Sequence, residues 1–495
     1  MNGSLLLYEA WPERQARVPL ITVSSSAAPD GNHLPISPRG GPVIIPRAEH
    51  SISRAQISPQ ALKVLYRLKE SGYQAFLVGG SVRDLLLGVT PKDFDVVTDA
   101  SPEEVRRLFR NCRLIGRRFR LAHVHYGDEI IEVATFRAAE SPPEVDDEDH
   151  REMDDARVQN DSGRILRDNL YGSIDQDIWR RDFTANGLYY NIADFSIWDY
   201  VDGVTDVHAR VLRLIGDPAV RYREDPVRML RAARFAGKLG FSLHEATRAP
   251  MRELAPLLAD VPAARLFDEC LKLFLGGQAV ASFDRLVDFD LLPQLFPAVS
   301  AELQRDPSGG HAQVLRLGLV NTDARVAADR PVTPTFLFAV LLYAPIMRRL
   351  ADNMAAGMPE SHAVIDAIDT VMMAQVRRVA IPKRFTLPMR EMLILQMRLE
   401  RRDGKRALSL LAHPRFRAAY DFLLLRVEAG LVPADVGTWW TEIQTLGAEE
   451  RLERVAQLAP AASLPEEEGG APRARRRRRP RRRRPANPSP EPIAE

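Results

Sequence analysis

Between residues 77 and 96 the chain reads Leu77-Val-Gly-Gly-Ser-Val-Arg-Asp84 and then Lys92-Asp-Phe-Asp-Val96. Two glycines after a strand, Gly79 and Gly80, let a phosphate approach the backbone closely. The helix expected after them turns unpaired N–H groups and its positive dipole end toward that anion. Arg83, in the first turn, is placed to add a charge-assisted contact to a triphosphate. Asp93 and Asp95 stand two residues apart on an expected strand, so both carboxylates share one face while Phe94 points to the core. Neighbouring carboxylates repel unless a cation lies between them, and an oxygen site completed by substrate phosphates suits Mg²⁺. Two such ions about 4 Å apart activate an attacking hydroxyl and stabilise a leaving pyrophosphate. Glu132, on a nearby expected strand, is a candidate third metal ligand. A double glycine alone is usually only a turn, and Asp-Phe-Asp alone is usually a strand entering a turn. Their joining across residues 81 to 92 is what points to nucleotide chemistry.

Two further strings extend the constellation. In Arg180-Arg-Asp-Phe-Thr-Ala-Asn186, Asp182 and Asn186 are spaced i,i+4, which predicts a shared helix face. In Arg223-Glu-Asp-Pro-Val-Arg-Met-Leu-Arg231, Asp225-Pro226 is a helix start, and Asp225 and Arg228 fall i,i+3 on one face. A carboxylate beside a guanidinium can read a Watson–Crick edge, accepting from an exocyclic amine and donating to a ring nitrogen. Adenine and cytosine both offer that pattern, whereas guanine and uracil present a carbonyl where the carboxylate needs a donor. Taken singly, each string is also what a capped helix laced with ion pairs would show.

The glycine turn with its aspartate pair resembles the nucleotidyltransferase superfamily that includes DNA polymerase beta. Arg-Arg-Asp-Phe-Thr-x-Asn is similar to the second motif of the class II branch, which holds the bacterial poly(A) polymerases and the CCA-adding enzymes. That resemblance implies a polymerase-beta-like head, an α+β unit with a small mixed sheet, followed by an elongated all-helical neck and body. It places Arg181 and Asp182 at the sugar and triphosphate, with Asn186 beside them, and makes Asp182 a further acidic active-site residue after Asp93 and Asp95. Glu-Asp-Pro-x-Arg-x-x-Arg resembles the base-selecting motif, which carries Asp225, Arg228 and Arg231, and Tyr200-Val-Asp-Gly203 resembles the hinge between head and neck. Because Asp225 and Arg228 treat A and C alike, they leave polyadenylation and C-then-A addition to tRNA both open. Segments around Ile45-Pro-Arg47, Gly116 to His123, Pro382-Lys-Arg384 and His413 to Asp421 look like the poly(A) polymerases rather than their CCA-adding cousins. The implied activity is template-independent addition of AMP from ATP to RNA 3′ ends, with Mg²⁺ or Mn²⁺ as cofactor, in mRNA processing and in RNA decay alongside decay proteins. A rigid neck that fixes Asp225 and Arg228 for the larger purine is the expectation for how CTP is refused. A catalytically idle RNA-binding scaffold is the contrasting class, and the full set of acidic and basic site residues argues against it.

These residues need elements to hold them, and 495 residues with 45% hydrophobic and 27% charged composition suffice for several globular units. The spacing predicts a helix from Ser58-Pro59, strands over 76–78, 94–97, 122–126 and 129–136, a helix from Ser101, and a strand pair near 188–191 and 198–201. Most of the chain from 175 to 446 has helical periodicity. The expected division is an unstructured lead (1–45), a catalytic head (46–206), a base-selecting and RNA-binding neck (207–275), an RNA-binding helical body (276–460) and a disordered arginine-rich tail (461–495). Residues 140 to 155 hold nine Asp or Glu and read as a long loop. The net charge of +2 conceals an asymmetry: residues 473 to 484 hold ten arginines, and without them the other 483 residues stand at −8. Basic tails commonly attract nucleic acid. The other candidate RNA contacts are Arg117, Arg118 and Arg120 in the head and Arg398, Arg401, Arg402, Lys405 and Arg406 in the body, serving single-stranded 3′ ends without sequence readout. Two cysteines, Cys112 and Cys270, make neither a disulfide framework nor a cysteine zinc site, and no run of about 18 apolar residues suggests a membrane span. The expectation is a cytoplasmic monomer.

Overall fold

The structure, a computed structural model, describes residues 41–116, 120–138, 157–159, 165–168, 171–402 and 404–456. The expectations for the lead before residue 41, the acidic stretch 140–155, Arg117, Arg118 and the arginine tail lie outside the described residues.

The head is built on an eight-stranded mixed sheet. Its strands are β1 (Val43–Ile45), β2 (Ala75–Val78), β3 (Asp95–Thr98), β4 (Cys112–Ile115), β5 (Leu121–Tyr126), β6 (Glu129–Thr135), β9 (Leu188–Asn191) and β10 (Ile197–Asp199). Between them in sequence, β7 (Arg157–Gln159) and β8 (Ile165–Asp168) pair only with each other. The order across the sheet is β1-β10-β9-β2-β3-β6-β5-β4, antiparallel throughout except for the parallel pair β3–β6. Both faces are covered, which explains why the central strand β2 is apolar at every position. Phe76 and Val78 join one core cluster, and Ala75 and Leu77 join the other. Burying a side chain such as Phe76 is worth about 1.5–3 kcal/mol.

Helix α1 (Pro59–Glu70) lies on the second face with Ala61, Val64, Leu65 and Leu68 inward, and Ser58 caps it by accepting from the Ala61 amide at 3.0 Å. Helix α2 (Gly80–Leu86) follows β2 directly, and α3 (Pro102–Leu108) starts with a full capping box between Ser101 and Glu104. The expected strands and helix starts of the head are therefore present within a residue or two.

Two expectations fail. Residues 43–45, counted with the unstructured lead, form β1 and pair with β10 at the sheet edge. Three residues are too few to show a period, and their stability comes from backbone pairing. The segment 182–186 is not one helix: Arg181 and Phe183 are extended, and only Thr184–Asn186 makes a 3-10 turn. Its backbone is recruited by the neck instead. Phe183 bridges Leu214, Thr184 N–H donates to Arg213 O, and Ile215 N–H donates to Asp182 O.

Asp199 ties the sheet to the next helix, α4 (Gly203–Ala209), accepting from the amides of Val201, Gly203 and Val204 at 2.9–3.0 Å. Gly203 is needed there because a Cβ would stand 2.3 Å from Thr184 O. The neck then runs through α5 (Pro218–Glu224), α6 (Val227–Leu239), α7 (Ala263–Phe274) and α8 (Ala279–Asp288). The larger body helices are α9 (Gly310–Ala327), α10 (Pro334–Ala355), α11 (Glu360–Arg378), α12 (Lys383–Leu399) and α13 (Phe416–Glu428). One contiguous core runs from Ile52 to Val455, so head, neck and body are packed together. Phe267 of α7 stacks on Phe338 and Phe385 of the body at 5.9 and 6.1 Å. Among the described residues α10 alone is long and apolar enough to cross a membrane, yet 61% of that stretch is buried inside the body, as a core helix requires.

Candidate active site

A cleft of about 460 Å³ opens where α2, the start of β3, the 180–186 segment and α6 converge. Gly79 supplies the turn at its rim with φ +74°, a left-handed conformation that favours glycine, and a Cβ there would point toward Asp95 Oδ2 at 4.0 Å. No side chain caps the first turn of α2 behind it. Asp95 opens β3 and Asp93 lies two residues before the strand. Both face the cleft while Phe94 is buried, so the expected alternation holds.

Asp95 remains open to the cleft, but the protein around it strips away solvent. Burial first, then the facing charges of Glu132 and Asp93, push its carboxyl up to about 6 against the pull of Arg181. Glu132 is likewise raised, by burial and by Asp93. It sits opposite Asp95 in the parallel β3–β6 register. Uncompensated negative charge at this point fits a divalent cation. Among the described residues no group of three or more His, Cys, Asp or Glu is already arranged to hold a metal. The donor set fits two aspartates with substrate oxygens filling the shell, and Glu132, the third candidate ligand, lies close enough to act on both aspartates through charge, with its carboxylate 3.9 Å from His123.

The basic side chains are sorted by partner. Arg83 is buried and committed: it donates to Asp84 at 2.7–2.9 Å and to Asn186 Oδ1. Arg181 donates to Asp177 and to the Tyr189 hydroxyl at 2.8–3.1 Å. Burial alone would lower its pKa, but Tyr189 and Asp177 outweigh that and hold it charged. Asp182 is gripped from α6, with Oδ1 accepting from Arg228 Nε at 3.1 Å and Oδ2 from Arg231. Burial would raise Asp182, yet Arg231, Arg228 and Arg221 overcome it and hold the carboxyl well below the usual range.

Sequence reasoning missed the rest of that α6 face. Arg231, Arg234 and Lys238 are spaced i, i+3, i+7 and all line the cleft. Arg234 is partly buried, its guanidinium lies 4.4 Å over Phe235, and its Nε has no hydrogen-bond partner among the described residues. Burial and Arg231 lower its pKa. The periodicity was visible in Arg231-Ala-Ala-Arg-Phe-Ala-Gly-Lys238, but it reads equally as a solvated face.

Asp225 and Arg228 are not paired with each other. Asp225 ends α5, and both its oxygens accept from Arg265 of α7 at 2.7 and 2.8 Å, a forked pair. Arg228 is held by Asp182, by Arg221 O at 2.8 Å and by Glu224 at 3.1 Å, leaving Nη2 without a hydrogen bond among the described residues. Arg265 stands 40 positions from Asp225, so no local pattern could announce it.

The RNA candidates are more dispersed. Arg120 pairs with Glu103, Arg401 with Glu360 and Arg402 with Asp435 at 2.6–2.8 Å, while Arg398 is exposed. Lys405 and Arg406 lie on a helix (Gly404–Leu411) whose side chains at those positions are outside the described residues.

With this geometry established, comparison with known proteins is informative. Family models match in three places: "Poly A polymerase head domain" over residues 75–213, "Probable RNA and SrmB-binding site of polymerase A" over 240–303, and "Polymerase A arginine-rich C-terminus" over 356–484. The chain is 48% identical to poly(A) polymerase I of Salmonella typhi over 412 residues, covering 82% of this chain and 87% of that protein. Similarity to the CCA-adding enzyme of Lactobacillus helveticus is 36% over 233 residues, covering 47% of this chain and 54% of that one. In fold, the chain resembles the crystal structure of the Bacillus stearothermophilus CCA-adding enzyme in complex with CTP, with a TM-score of 0.51, 24% identity and coverage of 81% and 84%.

Proposed function

The chain belongs to the bacterial poly(A) polymerase I family, and from that premise we propose that it adds AMP from ATP to RNA 3′ ends without a template, releasing pyrophosphate. The observation that carries the reading is the cleft itself. A glycine turn and two facing aspartates stand across from a stripe of basic side chains, in a chain that shares its length with poly(A) polymerase I. The CCA-adding alternative is weaker, because sequence similarity to those enzymes spans only about half the chain, against 82% for poly(A) polymerase I.

Asp93 and Asp95 would hold Mg²⁺. That ion, when bound, supplies charge to lower the barrier at the α-phosphate and to acidify the attacking 3′-hydroxyl. Gly79 and Gly80 admit the phosphates against the backbone. Arg231, Arg234 and Lys238 receive the triphosphate, and Arg234 brings an Nε that has no hydrogen-bond partner among the described residues. Asp182 keeps both oxygens on Arg228 and Arg231 and stays ionised at neutral pH, so it serves as a positioning residue that aims the two guanidiniums. Arg83 and Arg181 act likewise, fixing α2 and the 180–186 segment through Asn186, Asp177 and Tyr189.

Asp225 and Arg228 would read the base. Asp225, clamped by Arg265 and with Oδ1 also accepting from the Val227 amide at 3.3 Å, would present its carboxylate to the adenine amine, and Arg228 Nη2 is open to donate. The clamp from Arg265 is anchored in the body, since α7 stacks Phe267 on Phe338 and Phe385 and its first residue accepts from the Ala380 amide. Neck and body together thus fix where Asp225 sits, which favours one base size over another.

The test is Asp93→Ala and Asp95→Ala. Either change abolishes AMP incorporation while the thermal melt is retained, because each removes a repelling charge rather than a packed side chain. Near-normal turnover in either variant would overturn the assignment.

A further inference from the structure

A second cavity, of about 530 Å³, lies in the body between α9, α10, α12 and α13, in the region 321–421 and so beyond the 240–303 segment matched as an RNA site. Its walls are formed by two of the stretches that look like poly(A) polymerase in sequence, those around Pro382-Lys-Arg384 and His413 to Asp421. Nothing in the catalytic reading uses either stretch.

The chemistry of this cavity is specific. Four guanidinium groups line it, from Arg325, Arg384, Arg415 and Arg417, against the single carboxylate of Asp421. Asp421 is spent on Arg417 at 3.1 Å, and Arg415 is drawn to Glu391 at 3.0 Å. Arg325 is bonded only to a carbonyl, Pro331 O, at 2.9 Å, and Arg384 lies 4.9 Å over the ring of Phe385. Arg384 therefore faces the cavity without a carboxylate partner among the described residues, and Arg325 meets Asp421 only through charge, with no hydrogen bond to it. The floor is apolar, with the half-buried rings of Phe336 and Phe385.

We propose that this cavity binds one internal nucleotide of the single-stranded RNA, its phosphate held by Arg325 and Arg384 and its base stacked among Phe336, Phe385 and the Arg384 plane. The proposal rests on the reading that this chain acts on RNA. Excess positive charge complements a phosphate backbone, and guanidinium forks suit phosphate oxygens. Aromatic and guanidinium planes accept any base without sequence readout. The volume lies within the roughly 300–1,000 Å³ typical of sites for small molecules and holds one nucleotide unit. Such a site, sharing no lining residue with the aspartate cleft, would keep hold of the strand while the 3′ end is extended.

The experiment uses the full chain and a fluorescein-labelled oligo(A) of fifteen nucleotides, titrated over a series of salt concentrations. Arg325→Ala with Arg384→Ala is expected to weaken binding about tenfold and to reduce the salt slope by about two. A control pair on α10, Arg348→Ala with Arg349→Ala, removes equal charge and is expected to weaken binding less than about threefold. Phe336→Leu is expected to shrink the preference for oligo(A) over an abasic ribose-phosphate chain of the same length. AMP addition to a trinucleotide acceptor stays within about twofold in the Arg325/Arg384 variant. Unchanged oligo(A) affinity, or a loss no larger than the control's, overturns the proposal, as does capture of an acidic peptide that these arginines need while RNA binding does not. Failure of the wild-type chain to extend the trinucleotide with ATP would instead overturn the polymerase reading.

Discussion

Replacing Asp182 by Asn removes one charge from the centre of the site and leaves two guanidiniums without it. The Asp182 side chain is 17% exposed, Arg228 is 8% and Arg231 is 32%. Breaking a buried pair by deleting one partner costs about 3–5 kcal/mol. Three facts reduce that figure here. Arg231 is a third open to water, Arg228 keeps Glu224 and Arg221 O, and the Asn oxygen still accepts one bond. The expected loss is about 2–3 kcal/mol, or roughly 4–6 °C in Tm at about 2 °C per kcal/mol for a chain of this size. The pH dependence has a definite sign. The folded-state pKa of Asp182 is depressed, so the unfolded chain binds more protons in acid and the contribution is full at neutral pH. It fades as pH falls below the ordinary carboxylate value of about 3.9. Scanning calorimetry from pH 7 to pH 3 is the assay, paired with steady-state kinetics on ATP. KM for ATP is expected to rise about tenfold as Arg228 and Arg231 lose their aim, a change equivalent to about 1.4 kcal/mol. Equal melting of variant and wild type at pH 7, or a gap that stays constant down to pH 3, refutes the placement of Asp182 as the ionised hub of these arginines.

Two other perturbations probe neighbouring parts of the account. Arg265→Ala removes the forked clamp on Asp225 and is expected to raise CTP incorporation relative to ATP about tenfold, read by parallel kcat/KM measurements; an unchanged ratio would separate the clamp from base choice. Gly203→Ala puts a Cβ 2.3 Å from Thr184 O and is expected to cost at least about 2–3 kcal/mol, seen as a fall in the denaturation midpoint; a neutral result would mean the hinge can shift.

What the sequence disclosed follows from the range of the forces involved. Ser58-Pro59 and the Ser101–Glu104 box are local hydrogen-bonding devices, and both helices start where those residues place them. Asp93, Phe94 and Asp95 alternate because strand geometry has a period of two, and that alternation survives even though β3 begins only at Asp95. The errors lie where distant chain decides. The 182–186 stretch has helical spacing, but backbone pairing with Arg213, Leu214 and Ile215 pulls it open. Asp225 and Arg228 look like a couple by spacing, but Arg265 and Asp182 each outbid the local partner with ionic hydrogen bonds. Val43–Ile45 gives no periodic signal and is ordered only by the strand it meets. Arg234 was visible as a residue but not as a cleft cation with an unpartnered Nε, because commitment depends on which carboxylates the fold brings near.

Single-nucleotide extension with Mg²⁺, offering ATP, CTP, GTP or UTP separately and CTP with ATP together, decides whether this chain polyadenylates RNA. The acceptors are a generic RNA oligomer and a tRNA lacking its last three nucleotides. Polyadenylation gives long extension of the generic oligomer with ATP alone and little with the other three nucleotides. Short C-then-A addition confined to the tRNA would contradict it, and so would failure to extend either acceptor.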